Sequence, residues 1–252
     1  MASSLRFLIF ASKIKTMNIL LPLAAALLPA VVLFINIWNH DPQPEPKSWL
    51  TRAVLYGIGI CFPVALLEAG INEGLFGGEP TTLIGTTIQA FFVAAIPEEG
   101  FKLLALWLLL RHNPYFDEHF DGIVYAVCIG LGFATIENVS YVFAGGEKWA
   151  SIAISRALFA VPGHYAFAVL MGYYYSVYHF VDHSRRTAAY ILLIPVLAHG
   201  IYDALALSST VNIYVGAISF IVLIFFCTKM HKFARTKIMA QIERDYRDRN
   251  IT

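Results

Sequence analysis

Charge is scarce in this chain. Only 14% of its 252 residues are Asp, Glu, Lys or Arg, and 58% are hydrophobic. A soluble domain carries about a quarter charged residues. The shortage argues against a water-soluble domain and for an integral membrane protein. Cysteine is scarce as well. Cys61, Cys128 and Cys227 are odd in number, far apart and set in apolar segments. That pattern suits packing rather than a disulfide framework or a thiolate metal site. The chain lacks an HExxH motif, which excludes the common zinc-protease arrangement. It also lacks the Ser–His and Gly–Asp signatures of intramembrane serine and aspartic proteases. No internal repeat or low-complexity stretch is apparent, which weighs against transporters built from inverted repeats. The net charge of +1 points to no partner, and nucleic acid is not expected among them.

Long apolar runs are abundant. A membrane span takes about 20 apolar residues, and by that criterion seven candidate helices fall at 18–38, 51–70, 82–110, 121–143, 151–180, 188–207 and 211–228. Between them lie the Pro-rich loop His40 to Ser48, the Gly-rich stretch Asn72 to Pro80, the loops 111–119 and 181–187, and a short turn at 145–149. Residues 1–17 read as an N-terminal leader, with Met17 as an alternative start. The run Leu5 to Ala11 is too short to compete with the one that begins at Asn18. Lys and Arg crowd the segment 229–252, which marks a basic cytoplasmic tail. Counting back from it puts Arg185 and Arg186 inside and the Glu73/Glu79 loop outside; the N-terminus, with Arg6, Lys13 and Lys15, is the one discord with the positive-inside rule. The expected fold class is all-α. It is a polytopic transmembrane bundle of about seven helices, multi-pass in the cell (cytoplasmic) membrane, with the lipid bilayer as its first partner.

Within those runs sit Glu98, Glu99, Lys102, Glu137, His164, His199 and Asp203. Ionisable groups in a membrane are expensive and are kept when they pair, face water or do chemistry. Counted from the outer boundary, Glu137 lies roughly 9 Å deep, His199 about 12 Å, His164 about 20 Å and Glu98 about 24 Å, at helical rise. One intramembrane polar cavity can therefore gather them. Pro97 tends to kink the third span just before Glu98 and Glu99, and Lys102 can reach either acid at i+4 or i+3. His199 and Asp203, at i and i+4, share a helix face. They can bind one metal, or Asp203 can orient the imidazole. Pro162 and Gly163 loosen the helix ahead of His164. The plainer readings are a helix-internal ion pair at Lys102, interfacial hydrogen bonds at Glu137 and Asn138, an anchoring role for Arg156, and a packing His–Asp pair. Against them stands the charge sum. Glu98, Glu99, Glu137 and Asp203 outnumber Lys102 and Arg156, and a low dielectric requires a protonated carboxyl or a bound cation. Either suits hydrolysis.

The blocks EEGFK (Glu98–Lys102), FATIEN (ending Glu137-Asn138), His164 with Gly172, and HGIYD (His199–Asp203) resemble, in order and spacing, the conserved motifs of the PrsW family of intramembrane proteases. That family is related to the CAAX prenyl proteases and the Abi proteins. The match spans about residues 95–205, within a protease domain of 18–228. The resemblance implies a glutamate-dependent endopeptidase that cuts a single-span membrane protein, such as an anti-sigma factor, as a first, site-1-type cleavage at the extracytoplasmic side. It implies Glu98 or Glu99 as the base, and His164 and His199 as holders of water, metal or oxyanion. Lys102, Glu137, Asn138 and Asp203 would support the site. A metal, Zn2+ or another divalent ion, would take His164, His199, Glu137 and Asp203. The prenyl proteases carry His where this chain has Glu137-Asn138, which favours a PrsW-type enzyme. The rival readings are a proton- or cation-coupled transporter and a non-catalytic chaperone or scaffold.

Overall fold

The structure is a computed structural model and describes residues 19–78 and 80–251. The leader expected over 1–17, and Glu79, lie outside the described residues. Among the described residues there is no strand. Helix α1 spans Leu20–His40, α2 Lys47–Phe76, α3 Leu83–Ile88, α4 Ile96–Leu110, α5 Asp121–Ala144, α6 Trp149–Ser155, α7 Val161–Phe180, α8 Arg185–Leu207 and α9 Ile213–Ile251. Two π-helical turns, Gln89–Ala95 and Arg156–Ala160, join α3 to α4 and α6 to α7. Six helical runs among the described residues are long and apolar enough to cross a membrane. The continuous rod from Leu83 to Leu110, expected as the third of seven spans, carries the paired acids and is not among the six.

The all-α, multi-pass expectation holds, and the differences sit at helix ends. Helix α2 starts at Lys47, directly after Pro46, and continues through Asn72, Glu73 and Gly74, residues expected in a loop. It stops at Gly77, whose φ of 62° gives the left-handed cap that glycine adopts freely. Thr82 and Ser184 start α3 and α8 by accepting backbone N–H bonds from Gly85 and Thr187. The basic segment after residue 228 is helical, because α9 runs through it without a break.

Helix α5 is the centre of the bundle. It is buried without interruption from Asp121 to Ala134 and packs against α1, α2 and α7. Helix α7 is buried from Gly163 to Gly172 and also packs against α8. Small residues set these distances, as expected in lipid, where close van der Waals packing drives helix association. A Cβ on Gly132 would collide with the Val54 carbonyl of α2, and one on Gly172 with the Gly122 carbonyl of α5. Large apolar side chains such as Phe62, Ile84 and Ile221 are exposed on the outer faces, as lipid contact requires. The three cysteines are free, with Cys128 and Cys227 buried.

Candidate active site

Four rods build the site. The π-helical turn Gln89–Ala95 packs against α8 and hands over to α4, with Pro97 in its first turn. The same order recurs in the turn Arg156–Ala160 and α7, with Pro162. Proline has no N–H to donate, and a π-helical turn changes the register ahead of it. Glu98 and Glu99 follow the first such join, and His164 the second. Helix α5 supplies Glu137 and α8 supplies His199 and Asp203.

The groups converge in the interior. Lys102 Nζ donates to Glu98 Oε2 at 2.9 Å, to Glu99 Oε1 at 2.8 Å and to His164 Nδ1 at 3.2 Å. Its ammonium also lies 4.3 Å from the centre of the Phe133 ring. His199 Nδ1 is 2.9 Å from Glu99 Oε1, and its Nε2 is 3.1 Å from Asp203 Oδ2. His164 Nε2 donates to Glu137 Oε2 at 2.7 Å. Glu137 is held in turn by Arg156, whose Nη2 is 2.8 Å away. Arg156 Nε donates to Asn138 Oδ1 at 2.9 Å, and Asn138 Nδ2 donates to the Ala26 carbonyl of α1 at 2.7 Å. The imidazole of His199 stacks on Phe167 at 4.7 Å and 17° and meets His164 edge-on at 5.3 Å. Glu99 is 0% exposed and Glu98, Lys102, His164 and His199 at most 5%.

A cavity of about 920 Å³ opens on this cluster. Glu98, Glu137, His164, His199 and Asp203 line it, whereas Glu99 and Lys102 stand behind its wall. Glu68 of α2 lines it too, with Oε1 buried and without a hydrogen-bond partner.

Every site residue expected from the sequence is in this network, in two tiers. Glu98, Glu99, His164 and His199 each bring one ligand-type atom to within 4.8 Å of the others. Glu137 and Asp203 instead take the outer nitrogens of the two histidines, the position from which a carboxylate orients a ring. Lys102 joins both glutamates, and Asn138 anchors Arg156 to α1. Arg156, read equally well as an anchor from sequence, is the counter-charge of Glu137. Glu68 escaped the sequence analysis. Its signal was a carboxylate near the end of an apolar run with Asn72 four residues on.

The donor set fits a divalent ion. It offers two carboxylates and two imidazoles, with an outer carboxylate on each ring. The second oxygen of Glu99 is buried without a hydrogen-bond partner. His199 faces a carboxylate oxygen with both ring nitrogens, so a proton or a cation must stand between at least one such pair.

A lipid-embedded helical bundle that encloses two glutamates, a lysine and two oriented imidazoles against a cavity defines a class, the polytopic membrane hydrolases. Residues 45–228 match the PrsW family of intramembrane metalloproteases, and the chain belongs to that family. It is similar to Protease PrsW of Geobacillus kaustophilus, 33% identical over 189 residues, covering 74% of this chain and 80% of that one. It is 36% identical to Protease PrsW of Clostridioides difficile over 184 residues, 71% of this chain and 76% of the relative. Protease PrsW of Bacillus subtilis is 29% identical over 223 residues, 87% of this chain and 98% of the relative. No solved structure matches. The protein is a multi-pass membrane peptidase.

Proposed function

We propose that the protein is an endopeptidase of the cell membrane that cuts a single-span membrane protein, an anti-sigma factor being the expected kind, from the extracytoplasmic side. The observation that carries the reading is the meeting of Glu98, Glu99, His164 and His199 within 4.8 Å at the wall of the cavity. Counting positive-inside from the Lys/Arg-rich end of α9 supports a cavity in the outer half of the bilayer.

Glu98 is the general base in this reading. It lines the cavity, so its carboxylate can take a proton from water as the oxygen attacks the scissile carbonyl. Glu99 is the positioning residue, because its Oε1 holds both Lys102 and His199. Lys102 keeps the two carboxylates together without mutual repulsion. Glu137 and Asp203 hold the imidazoles by their outer nitrogens and turn the Nδ1 atoms inward. Glu99, His164 and His199 would hold a divalent ion such as Zn2+, which lowers the pKa of a bound water and polarises a carbonyl. The proton gained by Glu98 passes to the departing amine.

Glu98→Gln, Glu99→Gln, His164→Ala and His199→Ala, each in nanodiscs with a co-reconstituted single-span substrate, test this. Each is expected to lower the cleavage rate by about 100-fold or more. Wild-type cleavage by all four variants overturns the assignment. Ion flux without proteolysis in proteoliposomes would establish the transporter, and full biological function in the Glu98→Gln/Glu99→Gln double variant the scaffold.

A further inference from the structure

A second group of carboxylates lies at the opposite end of α5. Asp121, at its first residue, and Glu137 are about 24 Å apart at helical rise. Glu45 comes from the connection between α1 and α2, and Asp117 from the loop before α5. Glu45, Asp117 and Asp121 each bring one carboxylate oxygen to within 4.8 Å of the others. Asp121 is 0% exposed and Glu45 6%, while Asp117 is exposed and keeps the group open to water. Asp121 Oδ2 accepts the backbone N–H groups of Asp117 and Glu118 at 3.1 and 2.7 Å. Its Oδ1 is buried with no hydrogen-bond partner. An unpartnered carboxylate oxygen at full burial is costly, and here it belongs to a residue that meets two more acids.

We propose that Glu45, Asp117 and Asp121 form a second cation site, distinct from the proteolytic one, for a hard divalent ion, Ca2+ or Mg2+. The donors are all carboxylate oxygens, with no nitrogen or sulfur among the three, which selects hard cations over zinc or copper. The ion would satisfy Asp121 Oδ1 and cancel the repulsion among the acids. The site would tie the α1–α2 connection to the start of the central helix. Tyr125, whose hydroxyl donates to Glu45 Oε2, places an aromatic antenna beside it.

The test uses purified full-length protein in nanodiscs of zwitterionic lipid, stripped with EGTA and titrated with Tb3+ under tyrosine excitation. The expected result is saturable sensitised emission that Ca2+ or Mg2+ displaces. Glu45→Gln and Asp121→Asn should weaken binding by about 10-fold or more, because affinity at such sites follows ligand charge. Asp117→Asn, at an exposed position, should weaken it too and decides the matter if the buried variants do not fold. Glu99→Gln with His199→Ala should leave it unchanged. Absence of displaceable emission overturns the proposal. So does binding that survives Asp117→Asn undiminished, or binding lost only with Glu99 and His199. Calcium-independent stabilisation by Asp121→Asn would also overturn it, and would assign a shared proton to Glu45 and Asp121 instead.

Discussion

Glu98 and Glu99 are neighbours in the chain and unlike in situation. Glu98 faces the cavity; Glu99 is sealed behind it and holds Lys102 and His199 with one oxygen. Glu98→Gln should therefore abolish cleavage while keeping a near wild-type thermal midpoint. Glu99→Gln should lower both, since it weakens a buried ion pair. Removing the shared cation is worse. Lys102→Met strands two buried carboxylates and should cost about 3–5 kcal/mol, the usual consequence of breaking a buried pair, seen as a large drop in thermal midpoint in nanodiscs. Equal midpoints for Lys102→Met and wild type would show that the pair carries no structural weight. Asn138→Ala removes bonds to Arg156 and to the Ala26 carbonyl and should cost about 1–3 kcal/mol through the groups left unsatisfied. The sequence made the candidate site residues legible, because ionisable residues inside apolar runs stand out. It did not make their partners legible. Whether Glu137 takes a metal or the outer nitrogen of His164 depends on rotamers across two helices. Glu68 hid because a single acid near a span end looks like a boundary residue.

At the scale of elements, the long apolar helices were legible because each must bury its own backbone bonds in lipid. Their ends were not. Asn72, Glu73 and Gly74 look like a loop, yet the helix carries on to the Gly77 cap. The two π-helical turns leave no mark in hydropathy, although Pro97 and Pro162 hinted at a disturbed ladder. Those turns set the direction of the site residues. Deleting Ala94 would return the turn Gln89–Ala95 toward α geometry and rotate Glu98 and Glu99 by about 100° relative to α3. The deletion should insert into the membrane normally and cleave nothing; expression level and substrate cleavage together check it, and retained cleavage would deny the turn an aiming role. Packing between elements makes a separate prediction. Gly132→Leu pushes a side chain into the Val54 backbone of α2 and should destabilise by about 1–3 kcal/mol, the range for overpacking. Leucine at Gly59, which has open space beside it, is the matched control and should leave the thermal midpoint nearly unchanged.

At the scale of the whole molecule, one helix outgrows the membrane. Helix α9 has 39 residues, about 58 Å at helical rise, against a hydrocarbon core of about 30 Å. Its far end therefore stands in water, which explains how an apolar span and a Lys/Arg-rich segment share one rod. That end folds against the body of the protein. Asp245 Oδ1 accepts the His119 N–H at 2.6 Å and Oδ2 the Phe120 N–H at 2.9 Å, just where α5 begins without a side-chain cap of its own. The last helix thus caps the central one from outside. Asp245→Ala removes that cap and should cost about 0.5–2 kcal/mol, the range for helix N-caps. The capped end of α5 is the end remote from Glu137, so the rate of cleavage per folded molecule should stay at the wild-type value. Thermal midpoint and active-site-normalised cleavage, measured on the same nanodisc preparation, separate the two effects. A normal midpoint with a reduced rate would mean that the aqueous end of α9 acts on the distant cavity through α5 rather than holding that helix in place.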